Sequence, residues 1–325
     1  MRTLSNNDYK LFEQLVKSPE NVLKNTMADF LHKHYKKVIH TQNYVYAIGN
    51  LPVMVVAHLD TVFAKPPEHI YYDQRKGVIW SPEGLGADDR AGVLAIIKLI
   101  REEYRPTILL TTGEEIGGVG ARAFVLENPT PPEGLKYVIQ VDRRGKDDCV
   151  FYNCDNEVFT EYVSSFGFEE NWGTFTDIST ICPRWKIAGV NLSIGYFDEH
   201  TYSETFHVHY FLNTIEKIYA MLEEVNRLDK PFEYIYDTTI GYSGWFSKEW
   251  YPCTICGEPC LEHEIFPVKT SKGEIEHYCP ECVVDHANWC KVCGEPFKIE
   301  YKGQNICFNC LHGKEESEKC TITTK

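Results

Sequence analysis

No apolar run in the 325 residues approaches the ~20 needed to cross a membrane, and "MRTLSNNDYKLFEQLV" lacks the apolar stretch of a signal peptide. A cytoplasmic protein is the expectation. Basic residues are in short supply: 33 Lys and Arg face 47 Asp and Glu, for a net charge of -14. That balance argues against non-specific attraction to phosphate backbones or anionic lipid. Arginine is missing altogether from residues 253–325, where eight Lys face twelve acids, so nucleic acid is not an expected partner of that stretch either.

Cysteine is unevenly spread. Ten of the thirteen fall at or after Cys253, and eight of those form four C-x-x-C pairs: Cys253 and Cys256, Cys279 and Cys282, Cys290 and Cys293, Cys307 and Cys310. Paired knuckles at this spacing read as zinc rather than as disulfides. "CTICGEPC" and "CKVCGEPF" repeat one knuckle, with Gly257 and Gly294 placed for a tight turn that lets backbone N–H groups reach the thiolates. Two sequential four-cysteine ribbons are the simplest account, and a cross-braced pairing is the alternative. Either way, metal replaces a core that so short a stretch can hardly build alone. Cys260, His263 and Cys320 are spare. Protein contact or self-association through the ribbons, or a purely structural cap, is the expected role.

Before the ribbons the pattern is that of an α/β protein. Apolar spacing predicts helices over 5–17 and 27–39; then come strands in "NYVYAIG", "PVMVVAH", "PTILLTT", "KYVIQVD", "CVFYNC" and "GVNLSIGY", and a hairpin around Gly77. Helices are expected over 89–104, 117–127, 156–166 and 207–228. Near-continuously apolar strands separated by helices indicate a mostly parallel or mixed central sheet covered on both faces. The expected organisation is a catalytic domain over 1–228, an aromatic-rich connecting segment over 229–252 that packs against one domain or both, and a cysteine-rich domain over 253–325.

Ligands of such sheets collect beyond the carboxyl ends of the strands. There this sequence places "HLD" (58–60), "GEE" (113–115), "VDRR" (141–144) and "YFDEH" (196–200), with "GADDRAG" (86–92) opening a helix. Singly, each acid reads as a helix cap or a solvated loop residue. Together, so many buried acids need a cation to offset their repulsion. A two-zinc site satisfies the set: Asp88 as bridge, with Asp89 as the alternative, His58 and Asp142 on one ion, Glu115 and His200 on the other. Mn²⁺ or Co²⁺ can replace zinc at that pair. Glu114 is then free, on the opposite side of an extended segment from Glu115, to serve as general base and acid. His207 and His209, at the start of a long helix, read as surface residues.

"AHLDTV", "GADDRAG", "TTGEEIGGVGA", "VDR" and "NLSIGYFDEHTYSE", over residues 45–225, resemble the co-catalytic di-zinc exopeptidases, the superfamily of peptidase T, glutamate carboxypeptidase and the leucyl and tetrahedral aminopeptidases. The resemblance implies that Asp60 is catalytic through His58, whose imidazole it orients, and that Asp88 is the bridge. Spacings of 29 residues from His58 to Asp88 and 57 from Asp142 to His200 leave no room for an inserted lid domain, as in single-domain aminopeptidases. An aminopeptidase acting on peptides is therefore expected. The alternatives are an N-acyl-amino-acid deacylase, a carboxypeptidase, or a non-catalytic zinc-ribbon adaptor. For substrate, the resemblance places Asp177 where relatives have an acidic residue near the substrate, so that it can receive a free α-amino group, with a helix N-cap as its plain reading. Arg143 and Arg144 can hold a carboxylate or pair with Asp147 and Asp148.

Overall fold

The computed structural model describes residues 3–236, 250–257, 259–261, 265–301 and 303–311. The chain divides into two compact units, Met1–Ile240 and Gly241–Lys325.

The first unit runs α1 (Asn6–Val16), α2 (Glu20–His34), β1 (Lys37–His40), β2 (Tyr44–Ile48), β3 (Leu51–His58), β4 (Tyr71–Asp73), β5 (Val78–Trp80), α3 (Ala87–Arg101), β6 (Pro106–Thr111), α4 (Val119–Glu127), β7 (Tyr137–Arg143), β8 (Asp148–Val150), α5 (Glu157–Ser164), β9 (Glu169–Glu170), α6 (Asp177–Trp185), β10 (Gly189–Ser193), β11 (Tyr196–Phe197), β12 (Thr205–His207) and α7 (Val208–Glu224). Eight strands form one sheet in the order β1-β2-β6-β3-β7-β10-β8-β9. The centre is parallel: β3 pairs with both β6 and β7, and β7 pairs with β10. β2 joins β6, and β8 joins β10, in antiparallel fashion, so the sheet is mixed as expected.

Alternation along β3 shows why both faces are covered. Val53, Val55 and Ala57 enter a core with α1, α2, α3 and α7, whereas Met54 and Val56 enter a second core with Phe124 of α4 and Ile178 and Ile181 of α6. Successive strand side chains point to opposite faces, and here each face meets a helical layer.

The helix expected over 27–39 is displaced. It spans Glu20–His34, and Val38 lies in β1, paired with Ala47. β-branched Val38 and Ile39 gain a cross-strand partner there, which outweighs the helical spacing of the preceding turns. The hairpin at Gly77, whose φ is +65°, forms between β4 and β5. It belongs to a second sheet, β11-β12-β5-β4, that brings residues 196–207 alongside it. Of the connecting segment, residues 229–236 pack on the first unit: the Phe232 N–H donates to the Lys136 carbonyl at 2.9 Å, and its ring meets those of Tyr137, Phe159 and Tyr162. Residues 237–249 lie outside the described residues.

The second unit contains a two-stranded pair, β13 (Trp250–Pro252) and β14 (Pro259–Leu261), and a four-stranded sheet of β15 (Phe266–Lys269), β16 (Ile275–Tyr278), β17 (Ala287–Trp289) and β18 (Pro296–Lys298). A short α8 (Pro280–His286) and α9 (Phe308–Leu311) complete its described elements. Among the described residues no helix is long and apolar enough to cross a membrane.

Candidate metal centres

Because β6, β3 and β7 lie side by side and parallel, their carboxyl ends open at one edge. His58 ends β3, Glu114 and Glu115 follow β6, and Asp142 is the penultimate residue of β7. Asp88 arrives from the start of α3, and His200 from the loop after β11.

Two groups of possible ligands share Asp88: His58, Asp88 and Asp142, and Asp88, Glu115 and His200. Asp88 divides its oxygens between them. Oδ1 is 3.0 Å from Nε2 of His58, and Oδ2 is 3.1 Å from Nε2 of His200. Asp142 Oδ1 stands 3.5 Å from the same His58 nitrogen, and Glu115 Oε2 stands 3.0 Å from that of His200. Asp89, the alternative bridge, is turned away: its oxygens accept from the N–H groups of His58 and Gly92. His207 precedes the first turn of α7, stacks on Tyr210 and meets Phe197 edge-on, and neither it nor exposed His209 joins either group.

The surroundings of Asp142 are polar and enclosed. Thr176 and Tyr196 donate hydroxyls at 2.8 and 3.0 Å, and Gln140 donates an amide at 3.0 Å. Asn191 accepts the Asp142 N–H at 2.9 Å. None of these four was singled out from sequence, since each sits within an apolar strand or a polar loop of no distinctive spacing.

Electrostatic strain marks the place as one for cations. Burial, reinforced by Asp142, Asp177 and Asp88, pushes the Glu114 carboxyl up to about 10 even though His58 opposes the rise. Burial and Asp88 raise Asp142 to about 6 against the pull of His58. Hydrogen bonds donated to the Asp88 and Glu115 carboxylates hold the His200 imidazole up at about 11. Asp88 itself is lowered despite its burial, because His200 and His58 flank it. Oε1 of Glu115 is buried without a hydrogen-bond partner. Imidazole and carboxylate donors converging on shared Asp88, with that orphan oxygen among them, fit a pair of divalent cations.

The Glu114–Glu115 segment is not extended, contrary to the expectation. It is a turn in which the Glu114 carbonyl accepts from Gly117 and Gly118, both at 3.0 Å. Positive φ at Gly117 (+97°) and Gly118 (+70°) lets the chain reverse there. Asp60 fastens the turn, taking the N–H of Glu114 on Oδ1 at 3.2 Å and that of Glu115 on Oδ2 at 3.0 Å. The same carboxylate lies 3.4 Å from Nδ1 of His58.

The residues expected to read substrate fare differently. Asp177 is wholly buried, one oxygen bonded to the Thr111 hydroxyl and the other unpartnered; burial raises it to about 7. Thr176, not Asp177, is the helix N-cap. Arg143 donates to the Trp172 carbonyl at 3.1 Å, and Arg144 pairs with Glu199 at 3.0 Å. Asp147 takes Lys217 instead, and Asp148 an amide of Asn171.

In the second unit the sulfurs gather sequentially, Cys253, Cys256, Cys279 and Cys282 in one group and Cys290, Cys293, Cys307 and Cys310 in the other. Sγ separations of 3.7 Å (Cys256 to Cys279) and 3.8 Å (Cys293 to Cys307) match the edge of a zinc–thiolate tetrahedron, ~3.8 Å for bonds of ~2.3 Å. Gly257 and Gly294 donate to the carbonyls of Cys253 and Cys290 rather than to sulfur. The sulfurs are served by the N–H groups of Cys282, Val292 and Cys307. Cys260 is buried beside the first group, and His263 and Cys320 lie outside the described residues.

Residues 32–166 match the Peptidase family M28 profile. No curated protein matches the chain. Among solved structures, the aminopeptidase PepT of Bacillus cereus has 16% identity and a TM-score of 0.55, over 67% of this chain and 98% of that one. A Staphylococcus aureus tripeptidase has 13% identity and a TM-score of 0.55, over 68% and 98%. A TET aminopeptidase of a Thaumarchaeota archaeon has 12% identity and a TM-score of 0.51, over 69% and 98%. At these identities the structures establish the fold. The class defined by fold and family match is the co-catalytic zinc exopeptidase superfamily, extended by a cysteine-rich unit that fits zinc ribbons. The match over residues 32–166 and the fold support a metal-dependent peptidase.

Proposed function

We propose that the protein is a cytoplasmic di-zinc aminopeptidase, with its catalytic domain over 1–228 and two structural zinc ions in a domain over 253–325. The observation that carries this is the division of the Asp88 carboxylate between His58 and His200, inside two ligand groups that share no other residue. His58 and Asp142 would hold one ion and Glu115 and His200 the second, with Asp88 belonging to both groups. Bound there, the pair supplies Lewis acidity at the scissile carbonyl and eases the ionisation of water at neutral pH.

The chain's own groups do the remainder. Asp60 fixes the His58 ring and the turn bearing Glu114 and Glu115, so one carboxylate aligns residues from both β3 and β6. Thr176, Tyr196 and Gln140 fix Asp142. Glu114, which ligates nothing in either group, takes a proton from the attacking water at its carboxylate and returns it to the leaving amine. Glu114, raised to about 10 by burial and its acidic neighbours, would be brought down toward the range a general base needs by the charge of bound cations.

The preference for a free amino terminus is supported by the structures this fold resembles, named an aminopeptidase, a tripeptidase and a TET aminopeptidase. The ribbon unit, acidic and without arginine, suits contact with protein or a second copy of the chain. A panel of aminoacyl, tripeptide and acyl-amino-acid substrates, with Glu114→Gln as the blank, tests the reading. Hydrolysis confined to substrates with a free α-amino group is expected, and turnover only of acylated substrates would refute it.

A further inference from the structure

Glu204 is a wholly buried carboxylate without a cationic partner among the bonds it makes. Its oxygens instead meet backbone. Oε2 accepts the Gly86 N–H at 2.6 Å, Oε1 accepts the Asp88 N–H at 3.0 Å, and the Ala87 N–H adds a third bond. The stretch needs such an acceptor. Asp88 (ψ 105°) and Asp89 (φ -115°) are not helical, and Gly86 is left-handed, so their buried amides have no turn of helix to serve them.

Four residues before Glu204 stands His200. The loop between them is closed on itself: the Thr201 hydroxyl donates to the Asp198 carbonyl at 2.7 Å, and the N–H groups of Ser203 and Glu204 return to the Thr201 hydroxyl and carbonyl, both at 3.2 Å. Glu204 leads directly into β12, which pairs with β5. A compact loop anchored at Glu204 thus carries His200, and the other end of the anchor is the backbone of Asp88.

We infer that Glu204 is a positioning residue that joins two ligands from distant parts of the chain, holding Asp88 and His200 in register for the second cation. The claim rests on the di-zinc reading, and it goes further in predicting which half of the pair depends on a residue that touches no metal. Half-buried His200, at φ +63°, stands in this loop facing its carboxylates, whereas His58 is built into β3 in the middle of the sheet. The geometry therefore makes the Glu115–His200 position the one that loosens.

The test is zinc and cobalt binding by the full chain with Glu204→Gln, which preserves shape but sets an amide N–H₂ against a backbone N–H. Circular dichroism and the melting temperature establish that the variant is folded. The expected result is a ten- to hundred-fold weaker second zinc, the loss usual for a partner behind the ligands, with the first catalytic zinc and the ribbon zinc retained. The cobalt-substituted form should show altered visible absorption for one of two catalytic ions. Should Glu204→Gln not fold, Glu204→Asp, which keeps the charge but retracts the oxygens, is read the same way. Parent-like affinity and spectrum in a folded variant would overturn the inference, as would failure of both variants to fold, which would make Glu204 a folding residue only. A parent chain that binds no zinc beyond the ribbons would instead refute the di-zinc reading.

Discussion

The backbone N–H of Glu115 donates to Oδ2 of Asp60 over 3.0 Å, so a residue ending one strand's loop sets the position of a ligand on the next. The adjacent Oδ1 takes Glu114 N–H and faces His58. Replacing Asp60 with Asn points an amide N–H₂ at one of those donors. Zinc affinity at the catalytic pair should fall ~10- to 100-fold, and isothermal titration of the zinc-stripped chain checks it. Excess zinc should restore much of the activity.

Glu114→Gln removes the proton carrier but no ligand. Turnover should drop at least ~100-fold with KM little changed and zinc content equal to the parent. Steady-state kinetics beside metal analysis separates this from a loss of metal.

Stripping the catalytic metal should make stability fall as pH rises. Glu114, Asp142, Asp177 and Glu204 all have folded pKa values above the ordinary carboxylate range, at about 10, 6, 7 and 8. His200 is also raised, to about 11. A raised group favours the fold fully below its unfolded pKa, and that contribution is lost as pH climbs through the folded value. Each proton held more tightly by the fold costs ~1.4 kcal/mol per pH unit. From pH 6 to 9 the chelated protein should therefore lose on the order of 10 °C or more in melting temperature, since for Glu114 alone the whole range lies below its folded value. Zinc should reverse the trend, because deprotonated ligands bind it better. A chelated protein more stable at pH 9 than at pH 6 would contradict the assignment of these groups.

The candidate site was legible in the sequence where a polar side chain stands at the end of an apolar run, and the fold brings those ends to one edge of the sheet. His58 ends β3, Asp142 stands one residue before the end of β7 and Glu115 follows β6, and these strands are visible as near-unbroken hydrophobic letters. Glu204 was not legible, because it lies in the polar run "DEHTYSE" and its partners stand 116 and 118 residues away. The turn at Glu114 was misjudged as extended because the glycines that bend it follow the acids. β1 was hidden for a similar reason: Val38 continues a helical spacing, and only pairing with β2 draws it into the sheet.

Cys279→Ser removes a sulfur from the first ribbon group and the N-cap of α8, where Sγ accepts from Cys282. Bound zinc should fall from about four per chain to about three. Cleavage of small substrates should persist, since both catalytic groups lie in the first unit. Metal analysis and a peptide assay on the same sample decide it.

The most direct measurement is an anomalous difference map, recorded at the zinc edge, from crystals of the chain grown with zinc. The account predicts two peaks ~3.5–4 Å apart, one beside His58 and Asp142 and the other beside Glu115 and His200, with an oxygen of Asp88 directed at each. Peaks confined to the eight ribbon cysteines, with Asp88 still paired to both imidazoles, would contradict it.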